Sequence, residues 1–324
     1  MSSLYFDIEP YQWPLVYDEK YNVSFCGVEK LHVFDTKKWR NVIKYLKEDN
    51  LITSSQLVTP VEATRDDLLV VHTKKYLNSL KWSIRVARIS EVPLVACVPN
   101  ICVQKAYLKP MRLQTGGSVL AGKLALERGW AINVGGGFHH CSGNRGGGFC
   151  AYADITMLIQ FLILQEMIQN AMIVDLDAHQ GNGFERDFMG VPVVYIMDMY
   201  NRDIYPHDHN AKKAIRRKVE VYSHIRDDEY LNLMSRHLNA ALSEFKPDIL
   251  VYNAGTDILQ GDPLGNMSIT DVGIITRDQI VFQECRSRNI PIVMLTSGGY
   301  LKKTARIIAD SILNLHRNGL ISGK

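Results

Sequence analysis

No C-x-x-C pair occurs among the six cysteines of this 324-residue chain (Cys26, Cys97, Cys102, Cys141, Cys150 and Cys285), and their spacing offers no dense framework. Structural zinc of the finger type and a disulfide scaffold are therefore not expected, and a reducing compartment fits. No stretch is long and apolar enough to span a bilayer, and the opening MSSLYFDIEPYQWP has neither the basic nor the apolar segment of a secretory signal. Nucleus and cytoplasm are the expected locations. A concentrated basic stripe is also missing: the net charge is only +3, too mild to imply direct nucleic-acid binding. The one run that approaches a stripe, KKAIRRK at 212–218, reads as a solvated helix face. Repeats, low-complexity tracts and Pro/Ser-rich linkers are absent, which removes support for a two-domain split. The glycine runs contain no G-x-G-x-x-G set between a strand and a helix, so no dinucleotide cofactor is called for.

What is present is an ordinary globular composition, 46% hydrophobic and 22% charged, in a chain long enough for a large core. Apolar runs of strand length recur at 67–72 (DLLVVH), 130–134, 171–177, 191–198, 247–255 and 290–299. They are continuous rather than alternating, the pattern of strands buried on both faces of a parallel sheet. Helical stripes lie between them. Trp39, Val42, Ile43 and Leu46 recur at helical spacing behind Asp35, a plausible N-cap, and Tyr230, Leu233, His237, Leu238 and Leu242 form a second stripe. Ile308, Ile312 and Leu315 form a third. This alternation predicts one doubly wound α/β domain over residues 1–324, with a mostly parallel central sheet and helices on both faces.

Ligands of such sheets collect beyond the carboxyl ends of the strands. Four of these runs deliver polar residues there: GGGFHHCSGNRGGGFC (135–150), DLDAHQGNG (175–183), NAGTDILQGDP (253–263) and SGGY (297–300). In an extended stretch Asp175, Asp177 and His179 project to one side. Two carboxylates and an imidazole converging at a buried strand end repel or suffer desolvation unless a cation joins them. A divalent metal held by Asp177, His179 and Asp257 removes the conflict and leaves an open position for water and substrate. Softness does not separate zinc from ferrous iron at such a site.

This set of motifs, in this order and spacing, resembles the zinc-dependent histone deacetylase superfamily, and closely its class IV branch, the histone deacetylase 11 type. The resemblance runs from about residue 13 to about 318 and implies an arginase-like α/β fold. It further implies Zn2+ as the metal, with a structural monovalent cation as a second ion. His139 and His140 are placed by it beside the metal as general acid and base, with Asp175 as partner of His139, and Tyr300 as donor to the substrate carbonyl. Which histidine is the base stays open. Gly148, Phe149 and Tyr205 resemble the walls of a narrow acyl-lysine channel. Expected substrates are acyl-lysine proteins, histone tails among them, cleaved by water to lysine and a carboxylic acid; the class IV likeness adds long-chain fatty acyl groups. Two departures from the better-known class I pattern stand out. Asn182 occupies the middle of GNG where many relatives carry aspartate, and the loop between 98–100 and 114–117 lacks an evident rim aspartate. Three rival readings share some of these residues: a two-metal hydrolase of arginase type, an acetylpolyamine amidohydrolase, and a non-catalytic binding protein. The first would need a carboxylate where Gly181 stands and a second one where Leu259 stands.

Overall fold

Strands made wholly of apolar residues need cover on both faces, and the sheet is built to supply it. The computed structural model describes residues 2–23 and 37–323. Seven strands, β1 (Leu15–Val16), β2 (Trp130–Asn133), β3 (Ala171–Asp175), β4 (Val194–Asn201), β5 (Arg217–Val221), β6 (Ile249–Asn253) and β7 (Ile292–Leu295), form one parallel sheet in the order β1-β2-β7-β6-β3-β4-β5. Successive strand residues face opposite ways. Met172 and Val174 of β3 accordingly join one apolar layer, while Ala171 and Ile173 join the other. The first layer is closed by helices α1 (Lys38–Glu48), α9 (Asp227–Glu244), α10 (Asp271–Ser287) and α11 (Thr304–Arg317), which bury the three stripes described above. The second is closed by α6 (Lys109–Arg128) and α7 (Asp154–Leu164).

Three sequence expectations are corrected. The DLLVVH run is no strand: Thr64 caps the short helix α2 (Arg65–Leu68) by accepting from the Asp67 N–H, and turns follow. Hydrophobicity at 67–72 serves packing of Leu68 and placement of the buried His72, not a ladder. KKAIRRK is no helix face either; it is a single 3-10 turn (Ala211–Ala214) leading into β5 at the sheet edge, whose burial alternates because one face meets water. The segment at 100–114 is a continuous helical stretch, α5 (Asn100–Val103), a π turn (Gln104–Leu108) and the start of α6, rather than a loop. Asp35 lies outside the described residues; α1 itself begins at Lys38.

Chain order decides where a ligand sits. From β3 the chain moves outward through β4 and β5, then returns to β6 beside β3 and proceeds to β7 on the other side. The reversal at β3 and β6 opens a crevice beyond their carboxyl ends. Asp175 pairs in register with Asn253 there, so the loops that follow both strands start at the same height.

Candidate active site

Strand β3 ends at Asp175, so, contrary to the expectation from an extended stretch, alternation does not gather Asp177 and His179. Asx turns do it instead: the Asp177 N–H donates to Asp175 Oδ1 and the His179 N–H to Asp177 Oδ1, each at 3.0 Å. From the β6 side, Asp257 accepts the Ala178 N–H at 2.9 Å. The result brings His179 Nδ1 to 2.9 Å from Asp257 Oδ2 and 3.2 Å from Asp177 Oδ1. All three side chains are buried, with donor atoms within 4.8 Å of one another. Donors bound to a common ion at about 2.0–2.2 Å stand roughly 3–3.5 Å apart, so this cluster has the spacing of a metal centre.

Electrostatics point the same way. Burial opposes charge on His179, but the two carboxylates outweigh it and hold the imidazole up at about 10. Burial, then the charge of Asp177, pushes Asp257 up to about 7. Burial likewise opposes His139, yet Asp177 and Asp175 carry it to about 9. A buried site that raises two imidazoles in this way draws positive charge, and a divalent ion meets that demand.

The glycine-rich loop after β2 sets the two histidines beside this cluster. Asp154, at the start of α7, accepts the N–H groups of Gly137 and Phe138, both at 2.8 Å. Gly137 has φ +78°, and a Cβ there would stand 2.4 Å from Asn253 Oδ1, so only glycine lets the loop pass. His139 Nδ1 meets Asp175 Oδ2 at 2.8 Å, and its Nε2 faces Asp177 at 3.6 Å. His140, with ring centroid 4.1 Å away, meets a neutral partner: its Nδ1 lies 2.9 Å from Asn182 Oδ1. Asn182, the first residue of α8 (Asn182–Asp187), in turn donates through Nδ2 to Asp208 at 3.2 Å, and Asp208 pairs with Arg186. Because Asp208 accepts only, it fixes which end of the Asn182 amide faces His140. Burial and the neighbouring imidazoles keep His140 well below the usual histidine range.

The residues expected to wall a channel, Gly148, Phe149 and Tyr205, stand near the pair. Gly148 has φ +49° and its Cβ position is 2.4 Å from His140 Cδ2, so any side chain there would displace the imidazole. Phe149 is held by its N–H to the Ile89 carbonyl at 2.9 Å and by the Tyr107 hydroxyl on its own carbonyl at 2.5 Å. Tyr300 lies 6.4 Å from Phe149 between ring centroids, and burial holds its hydroxyl well above the usual range, keeping it a proton donor. Tyr205 is no core aromatic: it is half exposed and sets its ring edge-on to His140 at 5.0 Å. A cavity opens here, reaching from the histidine pair and Asp177 to Trp39 and Met111. Beyond the catalytic groups its lining is apolar, with Trp39, Val92, Val95, Tyr107 and Met111.

Four contributors escaped the sequence reading. Lys38 is fully buried and donates from Nζ to the carbonyls of Ser297, Gly298 and Gly299 at 2.7, 2.9 and 3.4 Å, underpinning the turn that bears Tyr300. The signal was a lysine at a core-facing helix position, four residues before Val42. Arg277 is buried as well and joins the loops after β3 and β6 through the carbonyls of Leu176 and Gly255 at 3.2 and 2.6 Å. Asp208 stands behind Asn182, and nothing in its local sequence marks it. Glu91, a left-handed helix terminus with φ +55°, supplies a carboxylate near the channel that the segment at 100–114 lacks.

Comparison with known proteins finds relatives along nearly the whole chain. A model of the histone deacetylase domain matches residues 32–315. The chain is 55% identical over 320 residues to "Histone deacetylase 2" of Arabidopsis thaliana, spanning 99% of this chain and 83% of that one. It is 30% identical over 308 residues to an uncharacterized protein of Picosynechococcus, covering 94% and 97% of the two chains. With "Histone deacetylase clr6" of Schizosaccharomyces pombe it shares 26% over 324 residues, covering 95% and 76%. Among solved structures, the HDA15 HD domain superposes with a TM-score of 0.76 at 18% identity, over 96% of this chain and 89% of that one, a likeness of fold.

Proposed function

The chain belongs to the histone deacetylase family and is a hydrolytic lysine deacetylase, and from that premise we propose how its residues act and which acyl groups it removes. The observation that carries the reading is the Asp177, His179 and Asp257 cluster reaching, through Asp177, one largely apolar cavity that His139, His140 and Tyr300 also line. Asp177, His179 and Asp257 hold the metal, zinc by family likeness. Such an ion supplies Lewis-acid chemistry, polarising a carbonyl and making water more acidic.

The side chains perform the rest. Asn182 Oδ1 only accepts, so His140 carries its hydrogen on Nδ1 and presents Nε2 as the free base for the attacking water's proton. His139 shares its Nδ1 hydrogen with Asp175, which steadies a protonated ring beside the departing amine. The Tyr300 hydroxyl donates to the oxygen on which negative charge develops. Water adds to the amide carbon, the C–N bond breaks, and the nitrogen leaves with a proton, giving lysine and a carboxylic acid. Gly148, Phe149 and Tyr205 grip the aliphatic stem of the substrate lysine.

The finer reading is a class IV type enzyme acting on long-chain acyl-lysine as well as acetyl-lysine, in proteins that include histone tails. Asn182 in place of aspartate and the apolar side chains of Trp39, Val92, Val95 and Met111 in the cavity lining support it. One lysine peptide bearing acetyl through myristoyl groups, with acetylpolyamines alongside, tests this: turnover per enzyme should rise with chain length and stay low on acetylpolyamines. A sharp preference for acetyl would refute the long-chain reading, and a preference for acetylpolyamines would replace the protein substrate.

A further inference from the structure

Four of the seven large apolar side chains that are more than half exposed among the described residues fall within one short excursion: Trp82 (70%), Ile84 (59%), Leu94 (53%) and Ile101 (79%). Single exposed apolar residues are ordinary on protein surfaces, whereas a concentration of them marks a contact. Hydrogen bonds lock the excursion together. Ser83 Oγ donates to the Val98 carbonyl at 2.6 Å, and the Asn100 and Gln104 amides both donate to the Leu80 carbonyl, at 3.1 and 3.0 Å. The segments that carry Trp82, Ile84 and Ile101 are therefore held side by side.

Charge surrounds this apolar group with one sign. Residues 74–109 hold seven lysines and arginines against a single carboxylate, Glu91, more positive charge than the net +3 of the whole chain. Lys74, Lys81, Arg88 and Lys105 are exposed. Along the sequence they are interleaved with apolar residues and form no run: Lys74 opens α3 (Lys74–Ser79), Lys81 precedes Trp82, Arg88 stands one helical turn after Ile84 on α4 (Ser83–Ser90), and Lys105 stands one turn after Ile101 in the π turn that continues α5. The same excursion walls the substrate cavity, since Val92 and Val95 line it and the Ile89 carbonyl holds the Phe149 N–H.

We propose that this face seats on an anionic lipid bilayer, with Trp82, Ile84 and Ile101 entering the headgroup boundary and the surrounding cations meeting lipid anions. Charge complementarity selects the occupant together with the aromatic and aliphatic tips: an acidic protein would satisfy the cations alone, whereas a lipid interface takes an exposed tryptophan and isoleucines as well. The association is peripheral, because no helix among the described residues is long and apolar enough to cross a membrane. Its placement stands apart from the deacylase reading. Only its use, bringing the cavity mouth to acyl-lysine proteins held at a membrane, rests on that reading.

Flotation of the full chain with vesicles of phosphatidylcholine alone, or of phosphatidylcholine with phosphatidylserine, tests it. The chain should float with the anionic vesicles and remain behind with the neutral ones, and added salt should weaken the binding. Trp82→Ser with Ile101→Ser should lower affinity roughly tenfold through lost apolar burial, and Lys81→Glu or Arg88→Glu should lower it roughly fivefold or more for each site. Cooperative melting and undiminished hydrolysis of a soluble acetyl-lysine peptide check that these variants stay folded. No flotation with anionic vesicles, equal flotation with neutral ones, or variants that float like the parent would each overturn the proposal. Binding of a polyglutamate peptide that survives Trp82→Ser with Ile101→Ser, without vesicle binding, would overturn it in favour of an acidic protein.

Discussion

His139 and His140 are neighbours in sequence and in space, yet they meet opposite partners: a carboxylate in Asp175 and an amide in Asn182 whose NH2 is committed to Asp208. The Asp175 carboxylate favours a charged His139 ring, whereas beside the neutral Asn182 amide burial and the neighbouring imidazoles hold His140 below the usual histidine range, a difference that suits two distinct proton-transfer roles. Asp208 never touches substrate in this arrangement, but it decides the orientation of Asn182. Asp208→Ala should lower turnover roughly 10–100-fold while leaving metal content at the parent level, read by elemental analysis beside the assay. Tyr300→Phe removes a donor at the developing oxyanion and should cost about 2.7–4 kcal/mol of transition-state stabilisation, seen in kcat with KM little changed. Parent-like kcat in that variant would remove Tyr300 from the chemistry.

The turn 297–299 illustrates how elements are joined to the site. Lys38, from the first turn of α1, satisfies three of its carbonyls, and a neutral apolar replacement leaves them buried without that donor. Lys38→Met should destabilise the fold by about 2–4 kcal/mol in urea titration and lower activity through the displaced Tyr300. A second joint lies at His72, whose Nε2 accepts the Ala153 N–H at 3.1 Å while Nδ1 faces the Gly143 carbonyl at 3.3 Å. Burial drives this imidazole down to about 4. The unfolded chain takes up the proton near pH 6.5, so stability is complete above that value and falls as pH drops from 6.5 toward 4, by about 3 kcal/mol. Thermal midpoints across this range should fall less for His72→Gln than for the parent; parallel curves would show that His72 does not contribute. Neighbouring Asp187, raised by burial to about 6, acts in the opposite sense and cancels in the comparison.

Legibility at this scale followed burial. Central strands β2, β3, β4, β6 and β7 announced themselves as continuous apolar runs, because both faces are covered. Edge strand β5 alternates and is lysine- and arginine-rich, so it imitated a charged helix; β1 is two residues long and gave no signal. DLLVVH carried a strand's composition, but a capped turn at Thr64 intervened. The Asp177, His179 and Asp257 cluster and the adjacent His139 and His140 lie on motifs visible in the sequence, whereas Lys38, Arg277 and Asp208 act across long sequence separations that no local pattern encodes.

For the whole molecule, the reversal of strand order at β3 and β6 decides where chemistry occurs. Four separate loops reach one crevice because their strands end at a common edge, and α1, α4 and α6 close an apolar cavity over it. Gly181 and Leu259 stand where an arginase-type two-metal reading needs carboxylates, and the His/Cys/Asp/Glu cluster with metal spacing among the described residues is Asp177, His179 and Asp257, a set for a single ion. If this cluster holds the one divalent metal that hydrolysis of acyl-lysine requires, titrating chelator-stripped protein with zinc should restore release of free lysine side chains from an acyl-lysine peptide. Activity should rise from near zero and level off at one metal per chain, with Asp257→Ala remaining inactive over the same range. Full activity in the stripped protein, or an Asp257→Ala titration that overlays the parent's, would show that the cluster is not the catalytic metal site.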